Sequence, residues 1–222
     1  MNNYQNIEES KENQNILKPH TLYEDGSLYL GEYNINNDNN PRNGRGILLF
    51  KDNSKYKGLW KEDQPEGKGI FSYSNGDYYS GEWKGGNVNG QGKFVHINGS
   101  VYEGEWKNNV PEGKGTETFP DGSIYKGEYS NGQKKGKGIL TWKDGAKYDG
   151  EFESNKMNGF GTYIFNDKRK YTGEWKNNKM DGYGEFEWPD GRKYKGQYKD
   201  GKKDGEGEYE WPNGKKYKGN WK

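Results

Sequence analysis

A Tyr-x-Gly-x-aromatic signature returns along this chain at a step of 23 residues, which leaves room for little more than one hairpin per repeat. Its copies are Tyr56/Gly58/Trp60, Tyr79/Gly81/Trp83, Tyr102/Gly104/Trp106, Tyr125/Gly127/Tyr129, Tyr148/Gly150/Phe152, Tyr171/Gly173/Trp175, Tyr194/Gly196/Tyr198 and Tyr217/Gly219/Trp221. An earlier copy, Tyr29/Gly31/Tyr33, precedes Tyr56 by 27 residues, and the extra residues fall in the Asn-rich stretch NINNDNNPRN, which places the insertion in a turn. A Gly-x-Gly pair keeps the same step from Gly44/Gly46 to Gly205/Gly207. Most repeats close on Asn-Gly or Asp-Gly, as at Asn98-Gly99, Asp121-Gly122 and Asp144-Gly145. Two depart, Asp52-Asn53-Ser54 and Asn166-Asp167-Lys168, and those turns are expected to be looser.

Strict alternation puts Tyr, Gly and Trp on one sheet face and the intervening residues on the other. After each Gly-x-Gly the alternation resumes, with Phe94, Leu140, Tyr163, Phe186 and Tyr209, then Phe119, Trp142, Phe165, Trp188 and Trp211. Asn-Gly or Asp-Gly between alternating runs predicts a hairpin with a type I′ turn, because that turn needs positive φ. Each repeat is therefore two short antiparallel strands. Glycine in mid-strand normally weakens a sheet. Beside large rings it gives a cross-strand aromatic somewhere to lie, so rings stacked on backbone replace an aliphatic core.

Composition agrees. Hydrophobic residues make up 27% of the 222 and aromatics alone 16%, so aliphatics are too scarce for an ordinary core. With 31% charged residues this would suggest disorder, but a net charge of +1 and so many rings argue for a fold. The chain has no cysteine, which removes disulfides and thiolate chemistry. The first residues lack the apolar core of a signal peptide, and no run is long enough to span a membrane; a cytoplasmic protein is expected. Of the two histidines, His96 stands where Phe119 and Trp142 stand in later repeats and is taken as a substituted core aromatic. A histidine metal cluster or triad is not expected, no P-loop or dinucleotide spacing occurs, and the carboxylates lie mostly at outward positions or in turns. No enzyme, no cofactor and no nucleic-acid partner are expected.

The stretch YEGEWKNNVPEGKGTETFPDGS and its copies resemble the MORN repeat, membrane occupation and recognition nexus. The resemblance covers residues 19–222 as a half unit, eight units of the 23-residue type and a terminal half unit, preceded by a disordered polar tail over residues 1–18. It implies an all-β fold, an elongated single-layer antiparallel solenoid whose aromatic face forms a shallow groove. Tyr79, Trp83, Tyr102, Trp106, Tyr125, Tyr171 and Trp175 are the candidate groove residues. At the far end the acidic residue before the aromatic becomes Gln197 and then Asn220, with Lys193, Lys195, Lys199, Lys216, Lys218 and Lys222 around them. These lysines form either a candidate basic patch for an anionic phospholipid or acidic partner, or a charged cap.

Three functions follow from the resemblance. The preferred one is a non-enzymatic scaffold, a ciliary, flagellar or cytoskeletal component that docks other proteins along the groove. The alternatives are a phosphoinositide-binding membrane tether and a regulatory repeat region of a larger lipid kinase or methyltransferase. A homodimer is left open, since something must cover an exposed aromatic face.

Overall fold

The computed structural model of the chain describes residues 15–222, which form strands and turns with no helix among them. They fall into two compact units, one ending at Gly90 and one running from Gln91 to Lys222. The first holds β1 (Asn15–Leu22), β2 (Leu28–Asn34), β3 (Arg42–Leu49), β4 (Lys55–Lys61), β5 (Gln64–Ser72) and β6 (Tyr78–Lys84), and β7 (Asn87–Val95) spans the division. The second holds β8 (Val101–Lys107), β9 (Val110–Thr118), β10 (Ile124–Ser130), β11 (Gln133–Thr141), β12 (Lys147–Glu153) and β13 (Lys156–Ile164). It continues through β14 (Lys170–Lys176), β15 (Lys179–Glu187), β16 (Lys193–Lys199), β17 (Lys202–Glu210) and β18 (Lys216–Trp221). From β1 to β6, and again from β8 to β18, each strand pairs antiparallel with the next. Each unit is thus an all-β sheet one layer thick, with neither helix nor second sheet packed on it among the described residues.

The register explains the glycine spacing. Gly127 lies opposite Gly115 on one side and Gly138 on the other, so glycines face glycines across successive strands. Tyr125 lies opposite Glu117 and Leu140, on the same face. Between Gly127 and Tyr129 the register shifts against β11, and the same irregularity recurs in the other hairpins. Such a bulge lets a short strand bear a longer one.

The turns correct the sequence reading. The tight type I′ turns are not at Asp-Gly but at the other end of each hairpin, where Asn108 and Asn109 have φ of 47° and 70° and Ser154 and Asn155 have 49° and 66°. The Asp-Gly loop is longer. The Phe119 amide donates to the Ser123 carbonyl and the Gly122 amide to the Phe119 carbonyl, with positive φ at Gly122 and not at Asp121. The Asp121 carboxylate accepts the Ser123 amide at 2.8 Å, and this bonding holds its carboxyl below the usual range. The two departing loops are not looser. Asn53 and Lys168 take the glycine conformation, at φ of 67° and 70°, and donate to the Phe50 and Phe165 carbonyls at 3.0 Å.

The polar tail expected over residues 1–18 lies outside the described residues as far as residue 14. From Asn15 the chain is already strand: Asn15 to Lys18 pair with Asn34 to Gly31. Backbone pairing to β2 orders a sequence whose composition alone argued for coil.

Candidate protein-interaction surface

The first tyrosine of each repeat lies flat over a pair of facing glycines. Tyr125 is fully buried, and a Cβ placed on Gly138 would stand 2.5 Å from its ring and its hydroxyl. Only glycine leaves that seat open. The Tyr125 hydroxyl then donates to the Glu128 carbonyl at 3.0 Å, and the same bond recurs from Tyr29 to Tyr194 at 2.9 to 3.1 Å. The next aromatic stands edge-on to the ring, and so does its counterpart one hairpin further on. Tyr148, for example, meets Phe152 at 5.2 Å and Trp175 at 5.3 Å, both T-shaped. Indole N–H groups tie neighbouring hairpins together: Trp83 donates to the Gly69 carbonyl, Trp106 to that of Gly92 and Trp175 to that of Gly161.

These rings do not line an open groove. Tyr79, Tyr125 and Tyr171 are sealed, Trp83, Tyr102 and Trp175 are buried, and Trp106 is half-buried. The alternation assigned them to the right face but not to a depth. A second row of rings, packed against this core, comes from the second strand of each hairpin and the loop that follows it. In the second unit Trp142, Tyr163, Phe165, Phe186, Trp188, Tyr209 and Trp211 form a continuous zigzag, each ring 4.4 to 5.7 Å from the next. All but Phe186 are half-buried. His96 occupies the corresponding place in its own repeat, 4.5 Å from Phe94, but is exposed rather than part of the core.

Cations lie on this aromatic face. Lys134 sits 4.9 Å over Phe119 and 5.1 Å over Tyr125, and pairs with Glu117, whose carboxylate also accepts the Tyr129 hydroxyl at 3.0 Å. Burial and the adjacent Glu117 charge push the Tyr129 phenol far above its usual range. Arg42 stacks 4.3 Å over Trp60 and pairs with Asp63 at 2.9 Å. Arg169 and Arg192 lie over Phe165 and Trp188 and pair with Asp167 and Asp190 at 2.7 Å.

The opposite face of the second unit carries most of its charged side chains, with Ile124, Phe160, Ile164 and Tyr183 exposed among them. There β8 to β12 form a wide cleft of about 810 Å³ whose walls alternate Glu103, Glu105, Lys114, Lys126, Glu128 and Lys137. Glu105 is not merely solvated. It sits at the bulge, half-buried, and its carboxylate accepts the Lys114 amide at 3.0 Å, replacing a lost ladder bond. Glu174 does the same for Tyr183, and Gln197 keeps the bond, to Glu206 at 3.3 Å. The loss of acidity at Gln197 therefore preserves an acceptor.

The lysines of the expected basic patch face glutamates. Across the strands the rows run Glu185, Lys195, Glu208, Lys218 and Glu187, Lys193, Glu210, Lys216. Lys216 pairs with Glu208 at 2.8 Å and Lys193 with Glu187 at 3.7 Å. Reading these lysines along the chain misses the acids Glu185 and Glu187, which the preceding strand brings to the same face. Lys199 stands apart, across a hairpin end from Lys202, and Lys222 follows the last strand. No group of metal-ligating side chains occurs among the described residues.

Comparison with known proteins agrees with this architecture. The family model of the MORN repeat matches residues 38–55, 56–78, 79–101, 102–124, 125–147, 148–168, 171–191 and 194–216. A search of curated proteins returns no match. Among solved structures, the wild-type TCP10 domain of Danio rerio CPAP is similar over 91% of this chain and 94% of that one, at 13% identity and a TM-score of 0.52. The same domain in complex with a peptide of Danio rerio STIL aligns over 91% and 99%, at 14% identity and a TM-score of 0.49. At such identity the likeness is one of fold.

Proposed function

The chain belongs to the MORN-repeat family, and on that premise we propose that it is a non-catalytic scaffold holding a partner protein along the aromatic ladder of its second unit. One observation carries this reading. The ladder from Trp142 to Trp211 stays half-exposed on a one-layer sheet, although the tyrosines it packs against are sealed. Contiguous exposed apolar surface marks interaction sites, and Trp and Tyr are the side chains most enriched in binding hot spots. The docking residues are therefore Trp142, Phe165 and Trp188 rather than Tyr79, Tyr125 and Tyr171. We assign such a scaffold to a cilium, flagellum or cytoskeletal assembly, a reading the family resemblance supports and imaging of the tagged full chain against axonemal tubulin tests. A lipid tether draws less support, because rows of glutamate interrupt the lysines that would serve it.

The test is photo-crosslinking in cells. p-Benzoylphenylalanine placed at Phe165 or Trp188 should yield adducts with the same partner, whereas placement at Lys126 or Lys137, on the opposite face, should yield none. Equal adducts from both faces would retire the ladder, and an adduct with a second copy of the chain would make the partner a homodimer.

A further inference from the structure

Three cations reach the aromatic face at one place in the register: Arg42 opposite Tyr33, Lys134 opposite Tyr129 and Lys203 opposite Tyr198. Two have a carboxylate of their own, Asp63 for Arg42 and Glu117 for Lys134. Glu117 lies 12 residues before Tyr129 and 17 before Lys134 and satisfies both. The residue at those same offsets from Tyr198 and Lys203 is Phe186. Lys203 accordingly makes no ion pair among the described residues, and the Tyr198 hydroxyl is buried without a partner. The ammonium stands instead 4.4 to 5.0 Å from the rings of Trp188, Tyr194, Tyr209 and Trp221.

Rings stabilise a cation through their faces but offer its three N–H donors no lone pair. Burial, with Arg192 nearby, lowers the affinity of Lys203 for its proton, so the charge is held at a cost that a carboxylate would relieve. Trp188 and Tyr209 are members of the ladder, and Lys203 is half-buried among them. A chain lying along the ladder therefore passes this ammonium. We propose that Lys203 receives an acidic side chain of the docked protein, which does for it what Glu117 does for Lys134. The inference rests on the scaffold reading and narrows its partner to a segment in which a carboxylate is flanked by apolar residues.

Two substitutions isolate the claim. Lys203→Met installs the side chain that Met157 and Met180 already provide at the equivalent register positions, so the fold should be kept. Phe186→Glu restores the internal carboxylate. The probe is a capped, fluorescein-labelled ten-residue peptide alternating glutamate and leucine, compared by anisotropy at low salt with its glutamine counterpart. Wild-type full chain should bind the glutamate peptide at least tenfold more tightly than the glutamine one. Lys203→Met and Phe186→Glu should each abolish that preference, and the opposite-face control Lys126→Met should keep it. Equal binding of the two peptides, binding of neither, or an unchanged preference in Lys203→Met would overturn the proposal. So would a preference for vesicles carrying phosphatidylserine over the glutamate peptide that disappears with Lys203→Met. If Lys203→Met also leaves the crosslink at Phe165 intact, the scaffold reading stands and only the acidic contact falls.

Discussion

Replacing Gly138 by alanine tests the central packing device of the fold. A Cβ there would lie 2.5 Å from Tyr125 Cε2, 2.5 Å from its hydroxyl and 2.7 Å from Cζ, all far inside van der Waals contact. The neighbours leave the ring no room. Tyr125 is fully buried between the edges of Tyr129 at 5.4 Å and Phe152 at 5.0 Å, and its hydroxyl is committed to the Glu128 carbonyl. Relief therefore requires either the ring to leave its seat or the strands to spread. Emptying a site of an aromatic this size costs about 3–5 kcal/mol, and the stranded carbonyl adds about 1 kcal/mol. If the strands instead spread around the methyl, overpacking costs about 1–3 kcal/mol. The cheaper response sets the cost, so a loss of about 2–3 kcal/mol is expected, read by urea unfolding of the full chain and by amide exchange in β10 to β12. Gly145→Ala is the comparison: its Cβ would meet nothing within 4 Å, so only its φ of 87° matters, at about 1–2 kcal/mol. The cause is checked in the Tyr125→Ala background, where Gly138→Ala should become nearly neutral, a coupling of about 2–3 kcal/mol. Equal costs in both backgrounds would show that ring and methyl never competed.

Three further outcomes follow from the same structure. Glu105→Gln should hold stability, as Gln197 does naturally, while Glu105→Ala should lose about 1–2 kcal/mol by leaving the Lys114 amide unbonded; equal melting of the two variants refutes the bulge role. Lys168→Gly should raise the urea midpoint, because relief of the left-handed conformation, about 1–2 kcal/mol, exceeds the added chain entropy of about 0.5–1 kcal/mol; a lowered midpoint would mean that Lys168 is not strained. Burial raises the pKa of the seated tyrosines, that of Tyr79 to about 12, so their protonated form is favoured by folding. Their contribution should be intact below pH 10 and be lost as pH rises from there through the folded-state values, with delayed phenolate absorbance; titration of all 19 tyrosines near pH 10 in the folded protein would exclude this.

Strand order, facing and the seat of each ring on glycine could be read from the sequence, because period-two alternation fixes faces and a constant step fixes neighbours. Depth could not. Alternation treats Tyr125 and Trp142 as equal occupants of one face, yet Tyr125 lies sealed on backbone while Trp142, just past β11, stays half-buried. Turn type was misassigned for a similar reason. Asp121-Gly122 carries the familiar signature, but Pro120 and Ser123 lengthen that loop, and the two-residue turns use pairs as varied as Glu62-Asp63, Gly85-Gly86 and Asn177-Asn178. The bulge at Glu105 breaks the alternation that made it look solvated, and the acids facing Lys193 and Lys216 sit on other strands. Asn15 to Lys18 looked like coil because pairing with β2 is a backbone matter that side-chain composition does not report.

The two kinds of aromatic hydrogen bond, from the seated tyrosines and from Trp83, Trp106 and Trp175, differ in reach, and this bears on how the sheet assembles in time. The tyrosine seat closes within one hairpin: Tyr171, Gly173 and Gly184 belong to β14 and β15 alone, and its hydroxyl bond spans three residues. The tryptophan bond reaches the preceding hairpin, yet even that spans only 14 residues, as from Trp175 to Gly161. Chains whose contacts are this local close small loops and fold quickly for their size. A hairpin can therefore set its own ring before its neighbours exist, and the indole then recruits the strand already made. Growth in this manner has no obligatory starting point in the second unit and proceeds outward from whichever hairpin forms first.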